Sequence, residues 1–373
     1  MLRRSRWFLL GVCCGVVGAI LGIRATSHPP RAAASAAAPH AESTGVVQPW
    51  AMESRLVVPH TLIQRFRYPV IDAHSHPYAG TSTAVGQWVK TLDQVGVRQV
   101  FILSGQTGAA LRQTIAKYAG AYPGRYLVFA GLDKDHPEAN DYGARLRQEL
   151  DADLRAGARG LGELTDKGLG LVNDHGRRFY LDDHRFDPLW AEAGRRHVPV
   201  IVHVADPAAF YAPLNPQNEL SRSAFWSLYG KGTPGFSTMV EKFAQVIGRF
   251  PQTQFVACHA FNLADDLPAL GRLLDRYPNV DVDFAARYWQ LARQPFTARR
   301  FLIRYQNRVL FGTDAGYDPA MYLASARVLE TRDEWIWPPD REWWRGYGLG
   351  LPDAVLRKIY SGNALRVLDE RGR

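Results

Sequence analysis

Tyr68-Pro69-Val70-Ile71-Asp72-Ala73-His74-Ser75-His76 decides how this 373-residue chain is read. An apolar run, Val70-Ile71, leads into two histidines two residues apart. In a β-strand alternate side chains point the same way. Asp72, His74 and His76 are therefore expected on one face, where two imidazoles can converge on one divalent ion. An H-x-H pair alone is a weak signal, so the argument needs the other strand ends. Pro199-Val200-Ile201-Val202 runs into His203, Gln254-Phe255-Val256-Ala257-Cys258 into His259, and Arg308-Val309-Leu310-Phe311-Gly312-Thr313 into Asp314. Short, nearly continuous apolar runs read as buried strands of a parallel sheet. Each of these delivers one metal-competent or proton-transferring side chain at its C-terminal end.

From Tyr68 onward strand-like and helix-like segments alternate. Eight strands are expected at Val70–His74, Arg98–Leu103, Tyr126–Leu132, Ala158–Leu164, Pro199–His203, Gln254–His259, Val280–Phe284 and Arg308–Thr313. Helices are expected between them, clearest at Tyr142–Ala156, where Leu146, Leu150 and Leu154 recur at an amphipathic spacing. Others are expected at Ser237–Phe250, Leu267–Tyr277, Thr297–Tyr305 and Ala354–Asp369. Eight β-α repeats imply an α/β fold, a single (β/α)8 TIM barrel with its site at the C-terminal strand ends. An open doubly wound sheet is the alternative, but it would spread strands one, five, six and eight apart.

Long segments are expected after strand four (Gly168–Asp187), strand five (Pro207–Pro234) and strand eight (Ala315–Pro352). Phe210, Tyr211, Phe225, Trp226 and Tyr229 lie in the second, and Trp335, Trp337, Trp343 and Trp344 in the third. These aromatics either line an apolar substrate pocket or pack as covers or at a subunit contact, so a homo-oligomer is compatible with them. Arg287, after strand seven, is the best candidate for holding a substrate carboxylate, because a guanidinium binds one bidentately. Lys134, after strand three, is the second.

The ordered set of four strand-end motifs resembles the amidohydrolase superfamily, within it the amidohydrolase-related branch of metal-dependent hydrolases, lactonases and decarboxylases. Ile359-Tyr360-Ser361-Gly362-Asn363-Ala364 is similar to the start of that branch's C-terminal helix, and the resemblance spans nearly all of residues 68–370. It implies that His74, His76, His203 and Asp314 hold one divalent ion, zinc first among candidates, and that His259 faces the water the ion activates. It also implies that Asp314 accepts a proton and that Asp72 supports the ligands from behind. Two-metal relatives carry a lysine on strand four. Here Glu163 takes that general place, as a further ligand, a support to the others or a substrate contact. The implied activity is hydrolysis of an amide, lactone or ester in a small molecule; the alternative is non-oxidative decarboxylation of an aromatic or unsaturated acid. The ligand set serves both.

Arg3, Arg4 and Arg6 precede the uncharged apolar stretch Trp7–Ile23. A basic start before an apolar run is an export signal. Residues 1–27 are expected as a cleaved signal or a retained single-pass anchor through 7–23, residues 28–50 as a disordered Ala/Pro/Ser-rich linker, and 51–373 as the catalytic domain. Either outcome places the enzyme outside the cytoplasm. Net charge is +9, of which residues 1–50 carry +4 through five arginines against Glu42. No Lys/Arg cluster interleaves with aromatics in the remainder, which argues against nucleic-acid binding. Only Cys258 lies outside the leader, so there is no disulfide framework, and its side chain is expected to point away from His259 into the barrel wall.

Overall fold

Eight parallel strands carry the architecture, in two sheets. The computed structural model describes residues 55–369 apart from 174, 223 and 337–343. The expected leader, its span at 7–23 and the linker lie outside the described residues, as do Trp337 and Trp343. Among the described residues no helix is long and apolar enough to cross a membrane.

The first sheet runs β1 (Val70–Ser75), β2 (Val97–Leu103), β3 (Tyr126–Phe129). The second contains β4 (Leu161–Asp166), β7 (Val200–Val204), β8 (Phe255–Ala257), β9 (Val280–Asp283) and β10 (Val309–Leu310), in the order β10-β9-β8-β7-β4. Between β4 and β7 an antiparallel hairpin intervenes, β5 (Leu171–Val172) and β6 (Arg178–Phe179). It occupies the long segment expected after the fourth strand. Hydrogen bonds link the two sheets at both seams. Ala130 bridges Leu161 on one side. On the other, the Ala73 N–H donates to the Phe311 carbonyl at 2.8 Å and the Asp314 N–H to the His74 carbonyl at 2.8 Å.

Apolar side chains divide into two cores. The larger lies between the strands and the helices. The smaller draws Ile71 and Ala73 from β1, Phe101 and Leu103 from β2, and Ile201 and Val256 from β7 and β8; Ala364 and Val367 of the helix Asn363–Asp369 join it. Strand β9 shows the same division in one line of sequence. Val280 and Val282 join the larger core. Their alternates, Asp281 and Asp283, are buried carboxylates. Asp281 is met by Arg308 at 2.9 Å and Arg366 at 2.5 Å. Asp283 reaches the other end, where the histidines gather.

Helix Tyr142–Arg155 follows its leucine spacing, with Leu146 and Leu150 buried. The helix expected from Thr297 begins earlier, at Pro295, whose missing N–H suits a first helical position. Several strands are shorter or later than expected, the third stopping at Phe129. The fourth starts at Leu161 because the Ala158 N–H is used to close the preceding helix, on the Asp153 carbonyl. The sixth stops at Ala257, because His259, Ala260, Phe261 and Asn262 all take left-handed backbone angles, φ 54–57°. The eighth ends at Leu310.

Candidate metal centre and active site

The C-terminal strand ends bring His74, His76, Glu163, His203, His259 and Asp314 together, all buried at the side chain. Their delivery demands unusual backbone. Ala205, His259, Ala286 and Asp314, just past β7, β8, β9 and β10, sit at φ 53–62°. A non-glycine residue there is disfavoured by about 1–2 kcal/mol, so four at one mouth mark a constrained site. Gly312 is needed for room, since a Cβ on it would lie 2.7 Å from the His74 Cβ.

Three histidines are oriented alike. His74 Nδ1 donates to Asp283 at 2.9 Å, His76 Nδ1 to the Leu103 carbonyl at 2.9 Å, and His259 Nδ1 to the Ala285 carbonyl at 2.8 Å. Each bond fixes the tautomer and turns Nε2 inward, the usual arrangement behind metal-binding imidazoles. His76 Nε2 lies 3.4 Å from both Glu163 and Asp314. His74 Nε2 lies 3.9 Å from Glu163 and 4.0 Å from Asp314, and His259 Nε2 lies 3.6 Å from Glu163. Glu163 is thus central, not peripheral. His203 differs: Nδ1 faces Glu163 at 2.7 Å and Nε2 faces Asp206 at 3.2 Å, with Lys167 on Asp206 at 3.2 Å.

A divalent cation fits these residues. The His74 Nε2 is buried and has no hydrogen-bond partner among the described residues. His74, His76 and Asp314 offer ligand atoms within 4.8 Å of one another, and so do His74, Glu163 and His259. Nitrogen and carboxylate donors of this kind suit zinc or manganese. The electrostatics agree. Burial alone would lower the basicity of His74, but Asp283, Asp314 and Glu163 overcome it and raise its pKa to about 9. In effect the carboxylates draw a proton to where a cation belongs. Burial would raise Asp314, yet the hydrogen bond from His76 and the charge of His74 hold it at about 2. Burial, and then the charge that His203 carries when protonated, push His259 down to about 4, leaving it a neutral proton acceptor.

Asp72 does not join His74 and His76 on one face. The β1–β2 register shifts between Asp72 and Ser75, which breaks the alternation. Its carboxylate accepts from the Thr313 N–H at 3.0 Å, the Thr313 hydroxyl at 2.6 Å, the Tyr322 hydroxyl at 2.9 Å and the His74 N–H at 3.2 Å. It ties the first strand to the last through the Thr313 N–H and hydroxyl, not through the His74 ring. Asp72→Asn puts an amide NH2 where a second acceptor oxygen is required. It should lower unfolding free energy by about 1–3 kcal/mol, read from urea melts; an unchanged midpoint would remove Asp72 from this role.

Cys258 departs from expectation as well. The chain turns left-handed directly after it, and its thiol packs in the smaller core, close to His74 and Asp283, not in the wall. Burial pushes its pKa well up. Of the aromatics in the long segments, Tyr211 approaches the site, accepting from the Asp206 N–H at 2.9 Å. Phe225 and Trp344 are 77% and 50% exposed. Tyr78, Asn262, Asp206 and Asp283 were not among the residues singled out from sequence. Tyr78 donates its hydroxyl to the Asp314 carboxylate at 2.8 Å.

Arg287 is 7% exposed and lies beside this group. Its Nε and Nη2 donate to the Asn262 side-chain oxygen at 3.1 and 2.6 Å, and Nη1 to the Ala286 carbonyl at 2.9 Å. Among the described residues no carboxylate forms an ion pair with it. Lys134 is exposed, at the rim of a cleft that reaches Glu163.

The amidohydrolase family model matches residues 63–369. The chain belongs to the amidohydrolase family. Solved structures agree on the fold. A dihydroxybenzoic acid decarboxylase from Polaromonas sp. JS666, with bound manganese and the inhibitor 2-nitroresorcinol, aligns over 81% of this chain and 97% of its own, at 14% identity and TM-score 0.53. A 2,6-dihydroxybenzoate decarboxylase from Rhizobium aligns over 82% and 100%, at 16% identity and TM-score 0.50. No curated protein matches this amidohydrolase chain.

Proposed function

We propose that this chain is a metal-dependent, non-oxidative decarboxylase of a small aromatic or unsaturated acid, built on a closed (β/α)8 barrel. The observation that carries the reading is Arg287. The hydrogen-bond partners of this buried guanidinium are all neutral, with Asp206 and Asp265 acting on it only through charge, so a substrate carboxylate can become its direct partner. A neutral amide or lactone would not supply one. The two decarboxylases of the same fold support the reading. In this proposal His74, His76, Glu163 and Asp314 hold one divalent ion, zinc or manganese, and His203 joins them by releasing Asp206 from its Nε2.

The ion's part is to stabilise negative charge on the substrate oxygens. Arg287, fixed by Asn262, orients the acid. Loss of CO2 breaks one carbon–carbon bond and leaves its electron pair on the ring carbon, which then needs a proton. The acid binds as a carboxylate, so solvent supplies the proton that balances the equation. Asp314, held by Tyr78, relays that solvent proton to carbon. His259, its Nε2 3.6 Å from Glu163, is placed to assist.

Hydrolysis is the second reading, favoured by one observation: His259 and Asp314 are both held as proton acceptors, as attack by water requires. A panel of aromatic acids assayed for CO2, beside lactones and amides assayed for acid release, separates the two. Arg287→Ala should raise KM for an acid substrate by about 10–200-fold, the loss of one charge-assisted hydrogen-bonded contact. Equal KM in wild type and variant, or acid release without CO2, would sink the decarboxylase reading.

A further inference from the structure

A second feature of the site lies away from Arg287. The hairpin β5–β6 and the residues that follow β3 and form β4 border a small cleft, open to solvent at its mouth. Leu132, Leu164, Leu171, Phe179 and Leu181 line it, and Glu163 of the metal cluster reaches it. Lys134 stands at its exposed edge and makes no ion pair among the described residues. The wall is held in place. The Asp166 carboxylate accepts the N–H of Gly168 at 2.9 Å and of Leu181 at 3.0 Å, clasping both feet of the hairpin. The Phe179 ring is flanked by the guanidinium groups of Arg177 and Arg185, 4.9 and 4.8 Å away. A neighbouring cavity behind Asp166 touches none of the metal-cluster residues, and the Lys242–Asp182 ion pair lines it.

We infer that the β5–β6 cleft takes the apolar, ring-sized body of the ligand, and that Lys134 meets an acidic substituent on that body. The inference rests on the reading of the site as one for an organic acid. Apolar walls beside a cluster of charges leave a ring as the body that loses least by leaving water. A lysine at the edge adds selectivity for a second negative group without burying its own charge. The hairpin, an insertion between β4 and β7, is then what sets the size of acid accepted, and Lys134 sets its charge.

The test uses the metal-loaded protein and calorimetric titration with two probes, 1-naphthoate and isophthalate. Leu171→Trp fills the cleft and should weaken 1-naphthoate by about tenfold or more. Lys134→Ala, at an exposed position that leaves folding alone, should weaken isophthalate by about threefold or more while 1-naphthoate changes less. Thermal melts check that the Trp variant is folded. Affinities blind to both substitutions, or no binding by wild type, overturn the cleft assignment. CO2 release is scored separately. Binding that follows the pattern with no CO2 from any acid overturns the decarboxylase reading and leaves the cleft standing. CO2 release with binding blind to both substitutions does the reverse.

Discussion

Replacing His74 and His76 together by alanine is expected to yield a folded protein without a stoichiometric divalent ion and without measurable turnover. Both rings are anchored through Nδ1, His74 on Asp283 and His76 on the Leu103 carbonyl. Both turn Nε2 toward Glu163 and Asp314. Loss of an outer hydrogen-bond partner alone lowers metal affinity by about 10–100-fold. Loss of two inner donors should exceed that, so elemental analysis after dialysis should find little metal. Near-normal metal content in a folded double variant would remove the pair from the ligand set. Far-ultraviolet circular dichroism distinguishes this from collapse of the fold.

A different result is expected from His259→Asn. Turnover on a confirmed substrate should fall by about 10²–10⁴-fold, the range for a lost acid–base group, while the ion is retained. His259 sits in a left-handed turn, its N–H on Asp283 and its Nδ1 on the Ala285 carbonyl. The N–H that steadies Asp283 behind His74 is backbone and stays in the variant, so the anchor of His74 is kept. Asp314→Asn should also cripple turnover, because an amide does not accept the proton, with a smaller effect on metal content than the double histidine change. If His259→Ala emptied the site while His203→Ala kept the ion, the roles of the β7 and β8 histidines would be exchanged.

The strand-end histidines and Asp314 were legible because an apolar run followed by one polar residue marks both a buried strand and its exit. The order of strands was legible for the same reason. Asp283 was not read as a partner of His74, although Val280-Asp281-Val282-Asp283 alternates visibly. Two acids on one face of a buried strand look like a surface pattern until their partners, Arg308, Arg366 and His74, are known, and those are far off in sequence. Glu163 was placed on the right strand, but its central position depends on four histidines from three other strands. The left-handed turn at His259–Asn262 carries no glycine, so nothing in sequence announced it or the inward thiol of Cys258. The hairpin after β4 was seen only as a long segment, since its strands are two residues each.

The seam between β1 and β10 joins parts of the chain made at opposite ends of synthesis. Asp314 donates its N–H to the His74 carbonyl, and Asp72 clasps Thr313. The donors His74 and Asp314 are therefore about 240 residues apart along the chain and adjacent only in the finished fold. A growing polypeptide carries the H-x-H pair early but no complete coordination sphere until its last strand has docked. Under the proposed ligand set, ion capture would be a closing event in maturation, and the ion obtained would be the one available where the chain completes folding, not where it is translated.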